Sequence, residues 1–163
     1  MLTGIPLDIQ HVGSTAIPGL SAKPILDIDI IIEKPALLTE ISLRLEKAGY
    51  ISRGDQGIPG RFAFRQQSVI TPMSPGQQTW MEHHLYVCYA DSLALKNHLL
   101  LKDALLRDKD LVMQYAVLKE RLSGQRDISR EEYTRQKTAF ILGVLQQEGL
   151  GDVELSQIRA ANT

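Results

Sequence analysis

The most constraining feature of this sequence is the run PILDIDIII, residues 24–32, in which two aspartates alternate with apolar residues. Its β-branched residues predict a strand, and the Lys34-Pro35 pair predicts its end. Because successive side chains of a strand point to opposite faces, Asp27 and Asp29 are expected on one face. A rise of about 3.3 Å per residue puts their Cβ atoms roughly 6–7 Å apart. That spacing suits a hard divalent cation such as Mg2+, which prefers oxygen ligands.

A glycine-serine turn precedes this strand. Residues 7–12 alternate as a first strand, and Gly13, Ser14 and Thr15 follow it. Glycine lets the backbone approach a ligand closely, while Ser14 or Thr15 can cap a short helical turn and present donors to a phosphate. Turn chemistry and a solvated strand face would each explain one motif alone. Charges inside an apolar run, however, need a metal, a basic partner or a cleft.

The string HVGSTAIPGLSAKPILDIDI, residues 11–30, resembles the GrpB family, a family of the UPF0157 type. More broadly, its Gly-Ser turn and Asp-x-Asp strand resemble the core signature of the polymerase-beta-like nucleotidyltransferase superfamily. In that superfamily the Gly-Ser pair holds the nucleotide phosphates and the Asp-x-Asp pair holds the metal. The resemblance implies phosphate binding by Gly13-Ser14-Thr15, and Mg2+ binding with a catalytic role for Asp27 and Asp29.

Three further residues are candidates for the same site. Arg61 begins an alternating strand and can neutralise a triphosphate or an acidic substrate, the alternative being a surface arginine. Lys23 can pair with the aspartates or a phosphate, or be an exposed loop lysine. The superfamily usually has a third carboxylate on a neighbouring strand. The resemblance implies that His84, or its neighbour His83, replaces that carboxylate as a metal ligand or proton acceptor, although a structural histidine pair is the alternative.

The chain departs from the family pattern around His84. Residues 66–81 contain two prolines and a glycine, which predict a loop or lid. The family's usual Arg-Thr-His-His-Leu-His pattern is here the run WMEHHLY, residues 80–86. No arginine takes the family position, and Tyr86 replaces the final histidine. Alternation along residues 83–89 puts His83 and His84 on opposite faces, so only one of the two can share the face expected to carry the aspartates.

The rest of the chain predicts an α+β fold. Residues 36–49 have helical apolar spacing that ends at Gly49, and residues 91–147 are helical throughout in three segments. We therefore expect a small mixed β-sheet with a nucleotidyltransferase-like core, helices packed on one face and a helical C-terminal half. The expected organisation is a single domain over residues 1–150, followed by a frayed tail over residues 151–163.

Composition narrows the partners. The chain has 163 residues, 44% of them hydrophobic, which suits one globular domain. The net charge of −1 does not favour long nucleic acid or an anionic membrane as a partner, whereas a small-molecule nucleotide fits. Cys88 cannot form an internal disulfide and is expected to be buried, which suits the cytoplasm. No apolar run reaches the roughly 18 residues of a membrane span, and no export signal is evident.

Two classes of function remain open. The first is a metal-dependent nucleotidyltransferase that moves a nucleoside monophosphate from a nucleoside triphosphate to an unknown hydroxyl acceptor. The second is a non-catalytic module that binds a phosphate ligand or a coenzyme, since GrpB-like segments resemble an appendage of dephospho-coenzyme A kinase. A third hypothesis is a homo-oligomer. GrpB relatives usually have an N-terminal helix before residue 11, and a sheet without it would expose apolar surface.

Overall fold

The computed structural model describes residues 1–125 and 127–161. Within those residues it has five strands, five α-helices and a short 3-10 turn over Ser14–Ala16. The strands are β1 Asp8–Val12, β2 Leu26–Ile32, β3 Tyr50–Ser52, β4 Arg61–Gln66 and β5 His83–Tyr89. The helices are α1 Leu37–Lys47, α2 Leu93–Arg107, α3 Lys109–Ser123, α4 Arg130–Gln147 and α5 Asp152–Ala161. The predicted α+β class and the predicted strand carrying the two aspartates are confirmed.

The five strands form one mixed sheet in the order β1-β2-β5-β4-β3. Strands β2 and β5 are parallel, and the other neighbouring pairs are antiparallel. The register places Asp27 beside Val12 of β1 on one side and beside His84 of β5 on the other. The turn after Val12 therefore begins next to the first aspartate, and the predicted histidine lies on its other flank.

One face of the sheet, which we call the apolar face, packs against α1. Ile41 and Leu45 of this helix are completely buried against Ile30 and Val87 of the two central strands. Burial of such aliphatic side chains stabilises a fold by about 1.5–3 kcal/mol each. The apolar face therefore holds the main core of the sheet.

The opposite face carries Asp27 and Asp29, and we call it the acidic face. The helices after β5 lie on this side, and α2 reaches Asp29 through a side-chain hydrogen bond from His98. Ser92, Asp108 and Ser129 cap α2, α3 and α4 through their side chains. The expected helical packing on one face of the sheet is provided by α1, and the expected helical C-terminal half lies on the other face.

The end of the chain differs from its sequence prediction. Residues 152–161, expected to be frayed, form α5, and Ile158 of this helix is buried against Leu145 and Leu150. Acidic residues in the first turn and Arg159 in the last turn suit the helix dipole. Residues 162 and 163 lie outside the described part, and the division at residue 150 stays a prediction. Cys88 is buried as expected. None of the described helices is long and apolar enough to cross a membrane.

Candidate functional site

The Gly13 turn packs directly against Asp27. Gly13 has a φ of +71°, a conformation that side chains other than glycine's rarely adopt. A Cβ at this position would overlap Oδ2 of Asp27 and lie 2.9 Å from its Cγ. The sequence thus requires glycine here for two independent reasons, backbone conformation and close approach to a carboxylate. The predicted proximity of the Gly-Ser turn and the first aspartate is observed.

Asp27 is paired with the predicted histidine. His84 Nδ1 donates a hydrogen bond of 2.9 Å to Oδ1 of Asp27, and the His84 side chain is 54% exposed. This hydrogen bond, with the charge of Asp27 added, raises the pKa of His84 above its ordinary value, partly against the effect of burial. With Nδ1 committed to Asp27, Nε2 of the neutral ring is free to accept a proton. The prediction that only one of the two histidines shares the aspartate face is confirmed.

Asp29 is paired with a different histidine. It is completely buried, and His98 Nδ1 of α2 donates to its Oδ2 at 2.8 Å. The other oxygen, Oδ1, is buried and has no hydrogen-bond partner among the residues that the structure describes. A buried charge with an unsatisfied oxygen is costly. Burial and the charge of Asp29 both raise the pKa of the neighbouring Cys88 thiol, which therefore stays protonated beside this carboxylate.

A cavity of about 200 Å³ opens beside Ser14, and we call it the Ser14 cavity. Asp27 and the Gly13-Ser14 turn line one side of it, and Lys102 of α2 and Lys137 of α4 line the other. Lys102 also donates to the side chain of Gln10 at 3.2 Å. The cavity therefore brings hydroxyl and backbone donors, a carboxylate and two ammonium groups together. Such a volume is below the usual range for a whole ligand and suits a phosphate group.

The positive charge at this cavity extends to a third lysine. Burial lowers the pKa of Lys119, and repulsion from Lys137 lowers it further. Lys119 donates to the backbone oxygen of Ser21 at 2.6 Å. Tyr115, beneath Ser14, is buried, and this raises the pKa of its phenol, although a hydrogen bond with Ser14 acts in the opposite direction. Lysines close enough to repel one another favour an anion between them.

The remaining candidates are placed differently. Thr15 Oγ1 is 2.9 Å from Nε2 of His11 and donates to the backbone oxygen of Ile25, so its hydroxyl is used within the turn. Lys23 is exposed and does not line the Ser14 cavity. Arg61 lies over the ring of Tyr86, 4.6 Å from its centroid, and lines a second cavity. The structure therefore brings together Gly13, Ser14, Asp27 and His84, while ligand roles for Thr15, Lys23 and Arg61 stay predictions.

Sequence reasoning missed His98 and Lys102. Both lie on α2 between Leu95 and Leu105, at positions 95, 98, 102 and 105, where buried positions of a helix recur every three or four residues. A histidine and a lysine on an otherwise apolar stripe were the available signal. What the pattern did not reveal is that this stripe faces the aspartates rather than an apolar surface.

The donor set limits which metal the site suits. Among the described residues no group of three or more histidine, cysteine, aspartate or glutamate side chains is arranged to hold a metal ion. Protein zinc sites need three or four such ligands. Mg2+ is commonly held by one or two carboxylates, with phosphate oxygens and water completing its shell. The aspartate pair is compatible only with the second arrangement.

The chain is similar to several known proteins. Residues 1–147 match the family described as GrpB protein. The UPF0157 protein YqkA of Bacillus subtilis is 31% identical over 133 residues, which cover 82% of this chain and 36% of that protein. The UPF0157 protein SCO7215 of Streptomyces coelicolor is 30% identical over 146 residues, 90% of this chain and 71% of the relative. The match thus spans about a third of the length of YqkA.

A solved structure has the same fold. The crystal structure of the conserved protein GrpB from Enterococcus faecalis matches with a TM-score of 0.70 and 26% sequence identity. The match covers 96% of this chain and 84% of that one. Together with the family match, this confirms the resemblance of residues 11–30 to the GrpB family.

Proposed function

This chain belongs to the GrpB family, and from that premise we propose that it transfers a nucleoside monophosphate from a nucleoside triphosphate to a hydroxyl acceptor with the help of Mg2+. In this reaction the acceptor oxygen forms a bond to the α-phosphorus, and the bond to pyrophosphate breaks. Pyrophosphate leaves with the electron pair, and the hydroxyl proton passes to a base of the protein. Catalysis of this kind depends mainly on positioning and on charge.

The observation that carries the proposal is the packing of Gly13 against Asp27 at the mouth of the Ser14 cavity. Because Gly13 has no side chain, the Asp27 carboxylate lies directly against the turn, and the backbone and hydroxyl donors of Ser14 line the cavity beside it. Lys102 and Lys137 would neutralise phosphate oxygens from the helical side. The proposed phosphate site therefore has donors on one wall and positive charge on the other.

Asp27 and Asp29 are the residues that would hold Mg2+. The fit rests on the buried Oδ1 of Asp29, which has no partner in the described part of the chain, and on the position of Asp27 at the cavity. When bound, Mg2+ would polarise the phosphoryl oxygens and offset their charge. His84, oriented by Asp27, is the proposed proton acceptor in place of a third carboxylate.

A second candidate function is a module that binds a phosphate ligand or a coenzyme without turnover. Two observations favour it specifically. Each aspartate already accepts a hydrogen bond from a histidine. In addition, the described residues supply no third acidic ligand beside the pair. A binding module needs the Ser14 cavity and its lysines but not two open carboxylates.

The decisive experiment is calorimetric titration with a panel of nucleoside triphosphates, with and without Mg2+, followed by phosphorus NMR to detect pyrophosphate. A ligand at about 100 times its Kd should add roughly 2.7 kcal/mol to the free energy of unfolding, which a thermal shift resolves. Asp27→Asn tests the carboxylate. Asp103→Asn is the matched control, because Asp103 is exposed on α2 and lies outside the Ser14 cavity.

The three outcomes separate the candidates. Binding that requires Mg2+ and Asp27, with release of pyrophosphate, supports nucleotidyl transfer. Binding without pyrophosphate release, unchanged in Asp27→Asn, favours the binding module. If no triphosphate binds at any Mg2+ concentration, the nucleotide proposal is wrong.

We further propose a cytoplasmic location, which suits the buried Cys88. Sedimentation velocity at high concentration tests the homo-oligomer hypothesis.

A further inference from the structure

A second and larger cavity adjoins the Ser14 cavity, displaced along α2 towards the start of that helix. It has a volume of about 660 Å³, within the range of small-molecule sites, and we call it the Arg61 cavity. Its walls come from the loop before β4, the start of α2 and the end of α5. Much of the lining is apolar, including Ile58, Leu93 and Ala94. The cavity is therefore suited to a molecule with an apolar body.

Arg61 supplies the positive charge of this cavity, whose lining also includes the exposed carboxylate of Asp91. Its guanidinium stacks over Tyr86, and no carboxylate of the described residues lies within ion-pairing distance of it. Its Nε is buried and has no acceptor in the described part of the chain. A buried donor on a cation is expensive to leave unsatisfied, and a carboxylate satisfies a guanidinium better than water does. An anion bound beside Arg61 would satisfy both this donor and the charge of the guanidinium.

Asn97 has an unsatisfied buried acceptor, whereas Arg61 has an unsatisfied buried donor. Its Oδ1 is buried, and within the described residues it accepts no hydrogen bond. Asn97 and His98 line both the Arg61 cavity and the Ser14 cavity. They therefore form the partition between the two cavities, and a donor bound at Asn97 would lie near the boundary. A hydroxyl or amide hydrogen is the group that Oδ1 would accept.

We propose that the Arg61 cavity binds a small organic anion with an apolar body and a hydroxyl group, whose carboxylate pairs with Arg61 and whose hydroxyl donates to Asn97. Binding of this ligand class stands on the cavity itself. Its role as the acceptor in nucleotidyl transfer rests on the proposed function. In that role the hydroxyl would meet the nucleotide across the Asn97–His98 partition. The acceptor would accordingly be a hydroxy acid rather than a sugar or a nucleic acid end.

The test uses para-hydroxyphenylacetate as the probe and its neutral amide as the matched comparison. Saturation-transfer NMR titration of the full-length chain, without nucleotide, should detect binding of the anion at millimolar concentration. The amide should bind about tenfold more weakly, because it lacks the charge that Arg61 would meet. Equal binding of the two probes, or binding of neither, would overturn the proposal without any variant.

Variants then locate the binding site. Arg61→Met should reduce the affinity for the anion about tenfold, to the level of the amide. Arg65→Met is the matched control, because Arg65 lies two residues along the same strand and is exposed. Lys137→Met tests the Ser14 cavity and should leave probe binding unchanged. Loss of binding in Lys137→Met but not in Arg61→Met would place the anion in the Ser14 cavity instead and overturn the inference.

The two proposals can fail separately. If the probe binds through Arg61 but no triphosphate binds, the nucleotidyltransferase proposal is wrong and the anion site stands. If a triphosphate binds with Mg2+ but the probe does not distinguish Arg61→Met from the parent protein, the anion site is wrong and the nucleotide proposal stands.

Discussion

The two faces of the sheet are formed by alternate residues of the same strands, yet the side chains on them differ in chemistry and in how they are satisfied. On the apolar face, Leu45 and Val87 are completely buried, and the surface is closed by α1. On the acidic face, Asp29 is equally buried, but one of its oxygens is unsatisfied within the described residues. Burial stabilises the first face and is costly on the second. The comparison indicates that the apolar face stabilises the fold and that the acidic face carries the candidate site.

Adjacent histidines of β5 show this difference within one strand. On the apolar face, His83 Nδ1 donates to the backbone oxygen of Met81, and the hydroxyl of Tyr50 donates to Nε2 at 2.7 Å. Both ring nitrogens are thus satisfied, and burial raises the pKa of Tyr50 to about 12. On the acidic face, His84 is more than half exposed, and only one ring nitrogen is held, by Asp27. Hydrogen bonds therefore fix the His83 ring in the fold, whereas the His84 ring is exposed to a ligand on the acidic face.

Truncation of the apolar face should give the largest effect on stability. Leu45→Ala removes a completely buried side chain of α1 and should lower the free energy of unfolding by about 2–5 kcal/mol. Leu43→Ala, at an exposed position of the same helix, is the control and should change it by less than about 0.5 kcal/mol. Chemical denaturation measures both. Similar losses for the two variants would contradict the assignment of the core to this face.

Gly13→Ala should give an effect of similar size, and it acts on the acidic face. The new Cβ would meet both a positive φ and the carboxylate of Asp27. Gly19→Ala is a matched control, because Gly19 has a φ of +80° but nothing within 4 Å of a Cβ. Both variants should lose about 1–2 kcal/mol from backbone strain. Gly13→Ala should lose roughly 1–3 kcal/mol more from the overlap, as measured by denaturation.

The strand carrying Asp27 and Asp29, its partner carrying His84 and the Gly13 turn could be predicted because alternation and turn chemistry are local properties. The position of His98 beside Asp29 could not, since a helical repeat gives the buried stripe but not the surface on which it packs. The same limit explains Arg61. Its strand was predicted correctly, but strand alternation does not say which cavity its side chain lines. Short helix α5 was missed because Ile158 is buried only through tertiary contacts.

Loss of the Tyr50 hydroxyl tests the structural role of His83. Tyr50→Phe would leave Nε2 of His83 buried without a donor, which should cost about 1–2 kcal/mol in the free energy of unfolding. Nucleotide and probe binding should be unchanged, because both groups lie on the apolar face. Denaturation and calorimetry on the same samples measure the two properties. A loss of ligand binding with unchanged stability would break the separation between the faces.

The smallest expected effect is the pH dependence contributed by His84. Its hydrogen bond to Asp27 raises the pKa of the His84 side chain in the folded protein above the ordinary value of 6.5. The charged ring is therefore favoured by folding, so its stabilisation is complete below about pH 6.5 and is lost as the pH rises through the folded pKa. Because the side chain is more than half exposed, solvent screening limits the effect to less than about 1 kcal/mol.

Substitution of His84 isolates this contribution. The parent protein should lose stability relative to His84→Gln as the pH rises above about 6.5 and through the folded pKa of His84, as measured by denaturation at a series of pH values. His11→Gln is the control, because His11 contacts the hydroxyl of Thr15 rather than a carboxylate. A parent protein that gains stability relative to His84→Gln as the pH rises would mean that His84 is held neutral. In that case the acidic face would hold its histidines as the apolar face holds His83, through neutral hydrogen bonds, and the pairing of His84 with Asp27 would no longer distinguish the two faces.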